Sequence, residues 1–85
     1  MSQTRKLFQK IKENPKNVRF EDINKLLGYY GFVIREPRSG SSHVTYYHPK
    51  LAEILTIPKH RPHIKPVYIK RALRLIEMLE KRGEE

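Results

Sequence analysis

The hydrophobic period of this chain changes twice, and that change constrains its fold more than any other feature. Over residues 20–30, Ile23, Leu26, Leu27 and Tyr30 recur three and four apart, the spacing of one helix face. Over residues 32–58 the apolar and β-branched residues fall into three short runs broken by Pro, Gly and Ser. From Pro66 onward, Ile69, Ala72, Leu73, Ile76 and Leu79 return to a helical stripe. A helix, three strands with short connections and a second helix predict an α+β domain. Its three-stranded antiparallel sheet should carry helices on one face and leave the other face open.

The boundaries follow from local chemistry. A first helix is expected over residues 4–13, with Leu7, Phe8 and Ile11 on one side and Thr4 as its cap. Asn14-Pro15 should end it, because the residue before proline avoids the helical region. Residues 15–19 then form a connector. Glu21 and Asp22 suit the positive end of the second helix, Gly31 suits its C-terminal stop, and Gly28 is an internal cost. The strands are expected at residues 32–36, 43–48 and 53–58. Pro66 suits the first turn of the last helix, whose exposed side should carry a Glu77–Lys81 pair.

Strand alternation divides the second run into two faces. Val44, Tyr46 and His48 share one, and Val44 and Tyr46 fit packing against helices. His43, Thr45 and Tyr47 share the other and should look outward.

The charge balance selects the kind of partner. Lys and Arg number 18 against 9 Asp and Glu, a net charge of +9. Such an excess in a small domain favours polyanions, nucleic acid first among them. There is no cysteine, so disulfides, thiolate metal sites and cysteine nucleophiles are excluded. Residues 1–11 are polar and basic, without the apolar core of a signal peptide. No segment approaches the roughly 18 apolar residues of a membrane span. The cytoplasm is the expected location.

The motif with most chemical content is Gly40-Ser41-Ser42-His43. Small residues let backbone N–H groups approach an anion, the serines add hydroxyl donors, and the histidine can move a proton near neutral pH. These are the parts of metal-free RNA cleavage. The same four residues also fit an ordinary hairpin turn ending in a surface histidine. His48, His60 and His63 do not make a convincing metal set, since Lys59, Arg61 and Lys65 crowd the same stretch and repel a cation. No metal or cofactor is expected. Lys59, Arg61 and Lys65 read instead as contacts to phosphate, and Tyr47 as an aromatic on the His43 face.

Taken in order, several stretches resemble one family. They are Phe20-Glu21-Asp22-Ile23 with Leu26-Leu27, Tyr30-Gly31-Phe32, Gly40-Ser41-Ser42-His43-Val44-Thr45-Tyr46, Leu55-Thr56-Ile57-Pro58 with His60, Ile64-Lys65-Pro66, and Ile69 with Leu73. Together they resemble the HicA family, mRNA-interferase toxins of type II toxin–antitoxin systems, over residues 19–76. The resemblance implies a fold like that of double-stranded-RNA-binding domains. It implies endoribonuclease activity with His43 as the catalytic histidine, single-stranded RNA or mRNA as substrate, and a HicB-like antitoxin covering the site. The chain departs from the pattern in carrying two serines before the histidine, and in an N-terminal helix over residues 1–18 preceding a HicA-like domain at 19–82. The alternative is a non-catalytic RNA-binding module of the same fold. The oligomeric state stays open, a homo-oligomer included.

Overall fold

Ile23, Leu26 and Leu27 are fully buried, and the helix that presents them, α2, runs Phe20–Tyr29. It belongs to a computed structural model that describes residues 3–36, 42–59 and 63–83. The element order among these is α1 (Gln3–Glu13), a 3-10 turn (Pro15–Asn17), α2, β1 (Val33–Arg35), β2 (His43–Tyr47), β3 (Leu55–Pro58) and α3 (Pro66–Gly83).

The helices form where the spacing places them, with differences at the ends. Helix α1 already includes Gln3, so Thr4 lies inside the helix rather than capping it. The connector carries a 3-10 turn opened by Pro15, whose fixed φ suits that position. Val18 behind it is buried, and its carbonyl accepts a hydrogen bond from the Ile64 N–H at 2.8 Å. That bond ties the connector to the segment entering α3. Glu77 does not depend on Lys81: its Oε2 lies 3.4 Å from the Lys12 Nζ, joining α3 to α1.

Helix α2 ends on Gly31, whose φ of +86° is the left-handed conformation that glycine adopts freely. The Phe32 N–H donates to the Leu27 carbonyl at 3.1 Å and the Gly31 N–H to the Gly28 carbonyl at 3.1 Å. These two bonds make a Schellman motif, with Phe32 and Leu27 both buried as its apolar pair. The two glycines should therefore respond in opposite ways. A Cβ at Gly28 meets nothing within 4 Å, so Gly28→Ala should stabilise by up to about 1 kcal/mol through helix propensity. A Cβ at Gly31 would sit 3.3 Å from the His48 Nε2 at a positive φ, so Gly31→Ala should cost about 1–2 kcal/mol. Urea unfolding midpoints of the two variants check both signs.

The sheet is an antiparallel meander in the order β1-β2-β3. Its registers pair Ile34 with Tyr46, Arg35 with Thr45, Val44 with Ile57, Tyr46 with Leu55, and His43 with Pro58. Pro58 is tolerated because β3 is an edge strand. Each strand is shorter than the β-rich run that contains it, because pairing stops where neighbours part. Val44, Tyr46, Leu55 and Ile57 are fully buried and face the helices, where Ile64, Ile69 and Ile76 complete the core with Phe8 and Ile11 of α1. All three residues of β1 are exposed. The helical layer thus covers β2 and β3 and leaves β1 as an open edge, with Ile34 38% exposed although it points to the helix side.

Candidate functional site

The outward face of the sheet follows from pairing, since residues opposite each other in an antiparallel ladder share a face. It carries Val33 and Arg35 from β1, His43, Thr45 and Tyr47 from β2, and Thr56 and Pro58 from β3. His43 is exposed at the first position of β2, while Thr45 and Tyr47 are half-buried. Among the described residues no helix lies over them, as the sequence alternation anticipates.

Ser42 and His43 form a pinned corner. The Lys59 N–H donates to the Ser42 carbonyl at 2.7 Å, directly beyond the His43–Pro58 pair. The paired strand therefore begins at the candidate histidine, with Ser42 held immediately before it. Gly40 and Ser41 of the motif lie outside the described residues, as do His60, Arg61 and Pro62.

Tyr47 stands at the other end of β2, about 13 Å along the strand from His43. Its ring holds the Arg35 guanidinium at 5.8 Å from the centroid, within cation–π range. Arg35 is the one charged residue that the three strands put on this face, and residue-type reasoning missed it. The signal was present in the alternation of residues 32–36, but it became readable only once the Arg35–Thr45 register was known. A cation stacked on an aromatic, one nucleotide or two from a histidine, suits a single strand whose bases stack and whose phosphates need charge.

The two lysines expected at phosphate are placed apart. Lys59 continues β3 one residue beyond Pro58, so the alternation turns it to the helix side. There its Nζ lies 3.3 Å from Glu36 Oε1 and 5.4 Å from the Phe20 ring centroid. It closes the rim of the core and does not join the His43 cluster. Lys65 is exposed, immediately before α3, with its carbonyl accepting from the Tyr68 N–H at 3.1 Å.

The remaining titratable groups near the sheet are structural. His48 Nδ1 accepts from the Lys50 backbone N–H at 3.0 Å, and Nε2 lies 3.1 Å from the Tyr30 carbonyl. An amide N–H can only donate and a carbonyl can only accept, so the ring is neutral with its proton on Nε2. Its edge-on contact with Phe32, 5.2 Å between centroids, fixes it further. Both nitrogens are therefore occupied, Nε2 in joining the end of β2 to the end of α2 and Nδ1 in closing the local turn to Lys50, and His48 has no lone pair left for a metal. Among the described residues no three His, Asp or Glu side chains converge. The Tyr46 hydroxyl donates to Asn24 Oδ1 at 2.8 Å. Burial, and secondarily the nearby Glu36 charge, push this phenol well above its ordinary value. Tyr30 is raised in the same direction by burial and then by Glu80, whose Oε2 it meets at 3.2 Å.

With this arrangement established, comparison with known proteins is decisive at the level of family. A family model described as the HicA toxin of bacterial toxin-antitoxin matches residues 20–78. This chain belongs to the HicA toxin family. The matched residues take in α2, the whole sheet and most of α3, and with them His43, Tyr47, Lys59 and Lys65. Helix α1 precedes the HicA match yet contributes Phe8 and Ile11 to the same core. No curated protein and no solved structure matches the chain. The α+β architecture, one antiparallel meander under a helical layer, is that of the double-stranded-RNA-binding-domain-like fold expected of a HicA chain. Among the described residues no helix is long and apolar enough to cross a membrane.

Proposed function

We propose that this HicA chain is a metal-independent endoribonuclease acting on single-stranded RNA or mRNA, with His43 as its catalytic histidine. The observation that carries the reading is the position of His43, exposed at the first position of β2 on the outward face of the sheet, directly after Ser42 of the Gly40-Ser41-Ser42-His43 sequence. In the proposed reaction a base removes the proton of a ribose 2′-hydroxyl. The oxygen attacks the adjacent phosphorus, the bond to the 5′-oxygen breaks, and an acid protonates that leaving oxygen. His43 performs one of the two proton transfers. The backbone N–H groups of Gly40, Ser41 and Ser42 and the two serine hydroxyls are the donors proposed for the non-bridging oxygens. Arg35 and Tyr47 hold a neighbouring nucleotide, and Lys65, with Arg61 of the same basic stretch of sequence, supplies charge for the phosphates. The 19–82 domain carries the chemistry, and residues 1–18 extend its core.

A nuclease of this kind in a cell's own cytoplasm has to be restrained. A HicB-like antitoxin that covers the His43, Thr45 and Tyr47 face is the proposed restraint, with Tyr47 as the aromatic anchor of the interface. The reaction itself is open to a direct test. Purified protein in EDTA should cut a single-stranded RNA and leave 2′,3′-cyclic phosphate and 5′-hydroxyl ends. Products with 5′-phosphate ends, or cleavage only after a divalent ion is added, would replace this mechanism with hydrolysis by an activated water.

A further inference from the structure

Among the described residues, little of the positive charge lies on the candidate catalytic face. The strands contribute a single cation, Arg35, to that face. Helix α3 carries Lys70, Arg71, Arg74 and Lys81, all exposed. At 100° per residue, Lys70, Arg74 and Lys81 lie within about 40° of one line along the helix, and that line faces away from Ile76 and Leu79 in the core. Arg71 flanks it. The line is about 16 Å long at the helical rise. The first turn of α3 contains no acidic residue, so the positive helix end adds to the same field. Of the two acids within the stretch, Glu77 is matched by Lys12 of α1 and Glu80 accepts from the Tyr30 hydroxyl. The four cations themselves make no salt bridge to an acid among the described residues.

We infer that the outward face of α3, built from Lys70, Arg71, Arg74 and Lys81, is a track for the phosphate backbone of single-stranded RNA, separate from the His43 face. The inference rests on the RNA reading proposed above. A phosphate track needs only exposed, mobile cations repeated along a line. A protein interface needs an apolar or aromatic centre as well. Beside this line stand only Val67, at the helix start, and Met78, which is already half-buried against the core. The track also begins close to the chemistry in the chain. In the sequence only residues 59–65 separate Pro58, paired with His43, from Pro66 at the start of α3. Such a surface gathers RNA by charge, while the sheet face sets the cleavage position.

The test uses the full chain carrying His43→Ala, so that RNA stays intact, with a fluorescein-labelled single-stranded RNA followed by anisotropy over a salt series. Adding Lys70→Gln, Arg74→Gln and Lys81→Gln together should weaken binding at low salt about tenfold or more. It should also make the log–log salt slope shallower by about 2, at about 0.7 for each phosphate no longer neutralised. Gln keeps helix propensity, and an unchanged urea midpoint shows that the fold is intact. An unchanged slope and affinity overturn the inference. Polyglutamate binding that falls with the triple change while RNA binding does not also overturns it, in favour of an acidic protein on this face. If the His43→Ala chain binds no RNA at all, the RNA reading itself fails. If it binds RNA and the triple change flattens the slope, the track stands even where the parent chain proves not to cleave.

Discussion

Replacing His43 with alanine is expected to reduce RNA cleavage by about 10²–10⁴-fold, the usual contribution of a positioned proton-transfer group. The fold should survive the change. His43 is exposed at the first position of β2, with its side chain on the open face, and surface substitutions of that kind fall within about ±0.5 kcal/mol. The neighbouring backbone is held independently by the Lys59 N–H on the Ser42 carbonyl, which alanine leaves in place. The measurement pairs a cleavage rate at saturating RNA with a urea unfolding curve. A His43→Ala protein that cleaves at the parental rate would leave the site as a binding surface and favour the non-catalytic module. A large fall in the unfolding midpoint would make any loss of activity structural. His48→Ala is the useful contrast. It removes the link between β2 and the Tyr30 carbonyl and should lower stability with little specific effect on the chemistry.

The second large effect is at the same strand's opposite face. Tyr46 is fully buried between Ile34 and Leu55 in the register. Tyr46→Ala should cost about 3–5 kcal/mol. A domain of this length has a total stability of about 4–13 kcal/mol, so the variant should be wholly or partly unfolded at 37 °C by circular dichroism. Tyr46→Phe is milder, about 1 kcal/mol, because it removes the hydrogen bond to Asn24 without emptying the space. It also separates a pH effect. The folded chain holds this phenol above its ordinary value of about 10, so above that pH the unfolded chain releases the proton while the folded chain retains it. The folded state then binds more protons, and stability falls as pH rises beyond 10. In Tyr46→Phe that alkaline loss should shrink, leaving the smaller part due to Tyr30. Urea midpoints from pH 8 to 11 decide it, and parallel curves for the two proteins would show that Tyr46 contributes nothing to the slope.

What was legible in the sequence is what depends on short-range periodicity. The buried line Ile23-Leu26-Leu27, the stripe from Ile69 to Leu79, the stop at Gly31 and the division of β2 into a Val44–Tyr46 face and a His43–Tyr47 face all follow from residues within a few positions of one another. So does the order of elements, and with it the two-layer architecture. The HicA family was legible for a related reason: its motifs are local, and their order survives without knowledge of contacts. Tertiary structure decided whatever depends on which strand lies beside which. Strand pairing placed Arg35 over Tyr47, turned Lys59 to Glu36 and Phe20, and set Pro58 opposite His43. His48 had the same composition as a ligand or a catalyst would have. It became a neutral structural ring only because the end of α2 brought the Tyr30 carbonyl to its Nε2. Glu77 had a partner of the right spacing in Lys81, yet the packing of α1 on α3 supplied Lys12. In each case local spacing offers several partners of nearly equal energy, and burial of the common core selects among them, because packing of the apolar faces outweighs any single surface pair.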